Sequence, residues 1–182
     1  MRYNDNSNWI VLSESGSEPV SIDELKALLN MNFAGSGNYG DDDDFLSSLL
    51  PVCRELIEHY CGISIKGKTL QAIVRNECGG VDLPFGPVVS IVTAVDIYGN
   101  TLPLITLGDK WRSIFEPVTD YIKITYTVGY QSLGYNSTPK ALKQAILEEA
   151  AWRYLNRGTA EGLGSTQAKA LCSPYKRKTW LM

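Results

Sequence analysis

Histidine is almost absent from this 182-residue chain, with His59 the only one. A serine or cysteine hydrolase would have a single possible base, and no G-x-S-x-G elbow accompanies it. Paired C-x-x-C or H-x-x-x-H spacings are missing too, and His59 and Cys61, two apart on a helix, point to different sides, so no zinc site forms. Cysteine is sparse: Cys53, Cys61, Cys78 and Cys172 lack regular spacing and read as reduced, mostly buried thiols. No window approaches the roughly 20 apolar residues of a membrane span, and the polar start, Met1 to Asn8, lacks the apolar run of a secretory signal. The expectation is a protein made and kept in the cytoplasm. What is present, 44% hydrophobic and 20% charged residues, is ordinary for one globular domain and excludes a collagen, a coiled coil or a disordered tail.

Acid is missing from one region only. Residues 1–161 hold all 20 acids and 13 of the 17 bases, a net of -7, whereas 162–182 hold Lys169, Lys176, Arg177 and Lys178 and no acid, a net of +4. An acidic body repels nucleic-acid phosphates, and a short basic tail suits an acidic partner surface.

Along the chain, residues 1–20 read as an extended arm whose anchor is the short run Trp9 to Leu12. Ser21 and Glu24 have capping-box spacing, and Leu25, Leu28 and Leu29 mark one face of a helix over 21–31. Asp41 to Asp44 open a second helix, 41–61, in which Phe45, Leu49, Cys53, Leu56, Ile57 and Tyr60 recur at helical spacing before Gly62 ends it. Pro51 removes a backbone donor there, which predicts a kink or break near Ser47 to Leu50. From 68 to 128 the period becomes two, as in a sheet. Val89, Ile91, Val95 and Ile97 share a face, Gly99-Asn100 is placed as a two-residue hairpin turn, Pro103 marks an edge strand, and Tyr121 to Val128 alternates most cleanly. A meander of short strands is the simplest arrangement. A third helix, 138–157, follows Thr138 as cap and Pro139 at its first position; Leu142, Ile146, Ala150 and Tyr154 form one stripe, with Leu147, Ala151 and Leu155 beside it. Beyond Gly158, the segment 168–182 is too apolar for a linker.

Three patterns invite chemistry and fall short of it. Gly35 to Gly40 matches G-x-G-x-x-G, but it follows a helix and leads into four aspartates that would repel pyrophosphate. Asp41 to Asp44 lack the glycine and distant glutamate of a calcium loop, and acids at a helix start complement the macrodipole. Glu148 and Glu149 read as a solvated helix face. No catalytic, cofactor or metal site assembles, so the sequence reads as a non-enzyme. The tail has two readings: bases and aromatics for nucleic acid, or a docking peptide whose aromatic anchors fill pockets and whose bases meet an acidic rim.

Five stretches in order carry a resemblance. They are Ser21 to Lys26; Asp41 to Gly62, ending Glu58-His59-Tyr60-Cys61-Gly62; Leu83-Pro84-Phe85-Gly86-Pro87-Val88-Val89-Ser90-Ile91; Tyr126-Thr127-Val128-Gly129-Tyr130; and Pro139 to Ile146. Ala170 to Lys176 is similar to a closing motif. Together they resemble the bacteriophage head-to-tail connector (adaptor) family of long-tailed phages. The arm 1–20 is longer than is usual there, the loop 32–40 looks like an insertion, and the strand pair around Leu102 to Phe115 is more elaborate.

The resemblance implies an α+β fold, a small helical bundle with an inserted antiparallel β-meander or hairpin and extended terminal arms. It divides the chain into an arm (1–20), a connector domain (21–158) and a docking tail (159–182). It implies a structural virion protein in the neck, assembled in the host cytoplasm. Its copies would form a homo-oligomeric ring, commonly a dodecamer, between the portal protein and the downstream stopper, neck or tail proteins, with DNA only as passing cargo, no membrane and no cofactor. Leu171, Pro174, Tyr175, Lys176, Arg177, Lys178 and Trp180 would dock on the portal. The alternative is a DNA-binding packaging accessory that uses the same basic tail.

Overall fold

A computed structural model of the chain describes residues 8–31, 42–75, 80–107, 112–115, 121–133, 138–158 and 162–177. The expected α+β class is what it shows, with seven strands and four helices among those residues. The chain divides into two units, a sheet unit of Met1–Gly16 and Lys66–Ser137 and a helical unit of Ser17–Ile65 and Thr138–Met182.

In the sheet unit, β1 (Asn8–Ser15), β2 (Gly67–Arg75), β7 (Tyr121–Val128) and β4 (Val88–Asp96) form one antiparallel sheet in that order. β3 (Gly80–Asp82), β6 (Arg112–Phe115) and β5 (Leu104–Leu107) form a second, with β5 at an edge, as Pro103 implies. Strand order therefore departs from chain order, because β7 lies between β2 and β4. Its Ile122, Ile124, Tyr126 and Val128 are fully buried and need neighbours on both sides. β2 answers in simple alternation, with Val74, Ala72 and Leu70 opposite Ile122, Ile124 and Tyr126.

β4 does not alternate. Two bulges, between Val88 and Ser90 and between Ile91 and Thr93, set Val88, Ile91, Ala94 and Asp96 opposite Val128, Tyr126, Ile124 and Ile122. The expected face of Val89, Ile91, Val95 and Ile97 is corrected accordingly: each bulge adds a residue and turns the next side chain over. The arm is likewise more than a single anchor, since β1 pairs with β2 along its length and Trp9 packs edge-on against Phe85 at 4.8 Å.

In the helical unit, α1 (Ile22–Leu28) begins at Ser21 with the capping box complete. α2 (Asp43–Cys61) is one uninterrupted helix, which overturns the expected break at Pro51. The carbonyl that proline deprives of a donor belongs to Ser47, which is exposed, so water can satisfy it. The buried stripe of α2 is Leu46, Leu50, Cys53, Ile57 and Cys61; Phe45 is exposed, and Leu49, Leu56 and Tyr60 are only half-buried. α3 (Lys140–Leu155) is capped by Pro139 without a side-chain bond, and Thr138 is buried. Leu142, Ile146 and Ala150 form its core stripe as expected, but Leu155, at its end, is 73% exposed. α4 (Thr166–Cys172) continues into a short 3-10 turn at Ser173–Tyr175. α3 packs against both α2 and α4.

Candidate functional site

The basic tail is held from three directions. Ser165 caps α4 by accepting from the Ala168 N–H at 3.1 Å. The fully buried carboxylate of Glu149, on α3, accepts from the Gly164 and Ser165 N–H groups at 3.0 and 2.8 Å and from Arg153 Nε at 2.9 Å. Glu149 is thus no solvated residue: it neutralises donors at the start of α4 that would otherwise be buried without partners. A side chain at Gly164 would run into the Trp152 ring, so the approach of this loop to α3 requires glycine. At the other end of α4, Cys172 is buried and its carbonyl accepts from Cys61 Sγ at 3.5 Å. Beyond it, Lys176 Nζ lies 4.3 Å from the Tyr60 ring centroid and the Arg177 N–H donates to Cys61 O at 2.8 Å. Of the expected docking residues, Pro174 and Lys176 are exposed and Leu171, Tyr175 and Arg177 are half-buried; Lys178 and Trp180 lie outside the described residues.

Two further ionic clusters stiffen the helices. Arg54, only 2% exposed, donates through Nη1 to Glu58 at 2.9 Å and through Nε to Glu18 at 3.0 Å, with Glu55 at 3.4 Å. Glu58 accepts in turn from the Ile65 N–H at 2.6 Å. One guanidinium thereby ties the segment before α1, the body of α2 and the chain leaving α2. At the opposite end of α2, Asp42 accepts from Tyr154 Oη at 2.7 Å and pairs with Arg157 at 3.2 Å, while Asp43 pairs with Lys26 at 2.7 Å. The Tyr154 hydroxyl, and then the Arg157 guanidinium, hold the Asp42 carboxyl below the usual carboxylate range, and the same bond raises the Tyr154 phenol. Arg157 also stacks over Phe45 and Tyr154. The acids at the start of α2 therefore fix α1 and α3 in place, beyond any effect on the helix dipole. Asp41 and the loop Gly35 to Gly40 lie outside the described residues.

The sheet unit ends in a rigid tip. Asp96 accepts from the Tyr98 and Asn100 N–H groups and from Asn100 Nδ2, each at 2.8 Å, and the Asn100 side chain first, with the backbone donors, lowers its pKa. Gly99, at φ +89°, closes the turn as its third loop residue, which shifts the two-residue Gly-Asn turn expected from the sequence. The tip carries Ile97, 65% exposed, and Tyr98, 79% exposed. Its ordering carboxylate is invisible in the sequence, because one aspartate before a turn looks like any other.

The described cysteines Cys53, Cys61 and Cys172 are free and buried. Burial first, and the nearby Glu149 charge second, push the Cys53 thiol up to about 12, which makes it a packing group and not a nucleophile. His59 is exposed and Cys61 is buried, on different faces of α2. Among the described residues, no three His, Cys, Asp or Glu side chains converge on a possible metal position. The arrangement is one of fixed edges and exposed tips, which suits binding to other macromolecules.

Residues 19–101 match the family described as phage gp6-like head-tail connector protein. No curated protein matches the chain. Among solved structures, the fold is similar to a chain from the neck of an empty gene transfer agent particle computed with C6 symmetry, with TM-score 0.67, 19% identity and coverage of 93% of this chain and 96% of that one. It is also similar to a chain from the virion of a native gene transfer agent particle, with TM-score 0.68, 19% identity and coverage of 95% and 97%. A third, from the neck of the native particle computed with C12 symmetry, has TM-score 0.62, 17% identity and coverage of 94% and 97%.

Proposed function

We propose, from the match of residues 19–101 to the head-tail connector family, that this chain is a structural protein of the virion neck. In this reading its copies form a ring between the portal protein and the neck or tail proteins that follow, and DNA passes through the centre. The observation that carries the reading is the family match, joined to a fold shared over nearly the full length of chains from particle necks. The family is a structural one and not an enzyme class. C6 and C12 symmetry in the related necks supports a rotationally repeated arrangement.

The physical features agree with such a role. A ring subunit must keep its shape while it is loaded from several sides, and the buried Arg54 and Glu149 clusters tie separate segments of the helical unit into one body. A net charge of -3 keeps the protein from gripping passing phosphates.

The tail then meets the portal through Leu171, Pro174, Tyr175, Lys176, Arg177, Lys178 and Trp180. The rival use of the tail, as a DNA-binding accessory, is opposed by the acidic remainder of the chain, since residues 1–161 carry a net of -7. Removing residues 168–182 would strip Ala168 and Cys172 from the core, so point changes make the cleaner test. A purified chain carrying Pro174→Glu with Lys176→Glu is expected to lose binding to the cognate portal while circular dichroism shows the fold retained without the Lys176–Tyr60 contact. Undiminished binding would rule out the tail as the dock, and binding to duplex DNA that falls steeply with salt would favour the rival.

A further inference from the structure

The helical unit is electrically two-ended. Residues 17–65 hold nine acids and two bases, a net of -7, and residues 138–182 hold three acids and eight bases, a net of +5. The fold places Asp42, Asp43 and Asp44 at one end of α2 and Lys176 and Arg177 at the other. The bonds from Asp42 to Tyr154 and Arg157 join the start of α2 to the end of α3, so the two helices run antiparallel. The contacts of Cys61 and Tyr60 with Cys172, Lys176 and Arg177 bring the basic tail to the far end of α2, where the antiparallel arrangement also places Lys140 and Lys143. A 19-residue helix sets the two ends about 28 Å apart.

Internal pairing does not cancel this polarity. Lys26, Arg54, Arg153 and Arg157 have carboxylate partners within the unit. Lys140, Lys143 and Lys169 have no ion pair among the described residues, and neither has Asp44. Beside Asp44 runs an outward row on α2, Phe45, Leu49, Val52 and Leu56, of which Phe45 is 37% and Val52 47% exposed. These four recur at steps of four, three and four residues, which keeps them on one side of the helix. Glu55, more than half exposed, borders the row.

We propose that this outer face of α2 is an interface between copies of the chain, seated on the lysine end of the next copy formed by Lys140, Lys143 and Lys169. The contact is heterologous, one surface against a different surface, and such contacts close into rings when the rotation permits. Lysines fit both halves of the α2 face, because one ammonium can meet Asp44 and another Glu55 while their four-carbon stems cover Phe45 and Val52. Charge of opposite sign at the two ends also steers copies into one register and disfavours a face-to-face pair. The inference rests on the ring reading and names the surface that would make it.

Sedimentation and mass photometry of the full-length chain test the proposal through charge swaps. One variant carries Asp44→Lys with Ser48→Lys, both exposed on α2, and the other Lys140→Glu with Lys143→Glu. Wild type is expected to form higher species at low salt and to lose them as salt screens the contact. Each variant alone is expected to associate at least about a hundredfold more weakly, because both of its surfaces then carry one sign. An equimolar mixture of the two is expected to assemble again, each copy alternating with the other, which also shows that both are folded. Rings that tolerate either swap, or a mixture that stays monomeric, would overturn this interface and leave the connector reading standing. A wild-type chain that is monomeric at low salt overturns the interface as well, and loss of portal binding by the tail variant is an independent result.

Discussion

Glu149 sits at helical spacing from Arg153 beside another glutamate, a pattern that usually marks a solvated surface pair worth a few tenths of a kcal/mol. The fold makes it something else. With no exposed surface and three donors converging on it, its carboxylate joins α3 to the start of α4. Glu149→Leu is expected to cost about 3–5 kcal/mol in urea unfolding, since it leaves Arg153 and two backbone donors without their partner. Glu149→Gln, which keeps an acceptor oxygen, is expected to cost about 1–3 kcal/mol. Asp96 offers a second test, in pH. Its folded pKa lies below the usual carboxylate range, so the order it gives the tip is complete above that range and is lost as pH falls through the lowered value. NMR titration of the Tyr98 and Asn100 amides is expected to show their shifts moving together at that lowered value, and Asp96→Ala is expected to abolish the transition. An Asp96 titrating at or above the ordinary aspartate value would contradict the hydrogen-bond account.

Among the elements, α2 and β4 show where periodicity succeeds and where it fails. The extent of α2 follows from its acidic start and from Gly62, whose φ of +68° closes the helix. Its buried stripe lies to one side of the expected one, because a helix that carries apolar residues around more than half its circumference does not say which of them faces the core. Pro51 inside this helix forgoes one bond, and Pro51→Ala is expected to raise stability by about 2 kcal/mol, read as a higher midpoint in thermal or urea unfolding. In β4, the bulges defeat a period-two reading: the alternation is local, whereas the bulges answer to the partner strand β7. At the end of β7, Gly129 has φ +113° and a side chain there would meet the Lys66 carbonyl. Gly129→Ala is therefore expected to destabilise by about 1–3 kcal/mol from the backbone strain alone, with the collision adding to it.

For the whole molecule, the two units are interleaved in sequence, since the helical unit is made before and after the sheet unit and the first strand comes from the amino-terminal arm. The match to the head-tail connector family falls across both units, since residues 19–101 take in the first two helices and the strands up to the sheet tip. The chain's exposed apolar side chains include Ile97 and Tyr98 at the sheet tip, Phe45 and Val52 on α2, Ile10 to Leu12 on β1 and Leu155 at the end of α3. Replacing both Ile97 and Tyr98 by Ser is expected to leave the melting temperature within about 1 °C, because neither side chain is buried. A thermal melt of the double variant checks this, and a drop of several degrees would show that the tip side chains contribute to the fold.

The sequence by itself determined the α+β class, the bounds of three of the four helices to within a few residues, the strand character of 68–128 and the ordered motifs that carry the resemblance, while α4 went unread within a segment judged only too apolar for a linker. These depend on neighbours along the chain: caps, proline and glycine positions, and the side-chain period of each element. Only the tertiary structure decided that β7 lies between β2 and β4, that Glu149 and Arg54 are core residues, and that the basic tail returns to the end of α2 as far as Arg177. Each of these depends on burial and on partners distant in sequence, and a charged side chain has the same letter whether water or another segment of the fold surrounds it.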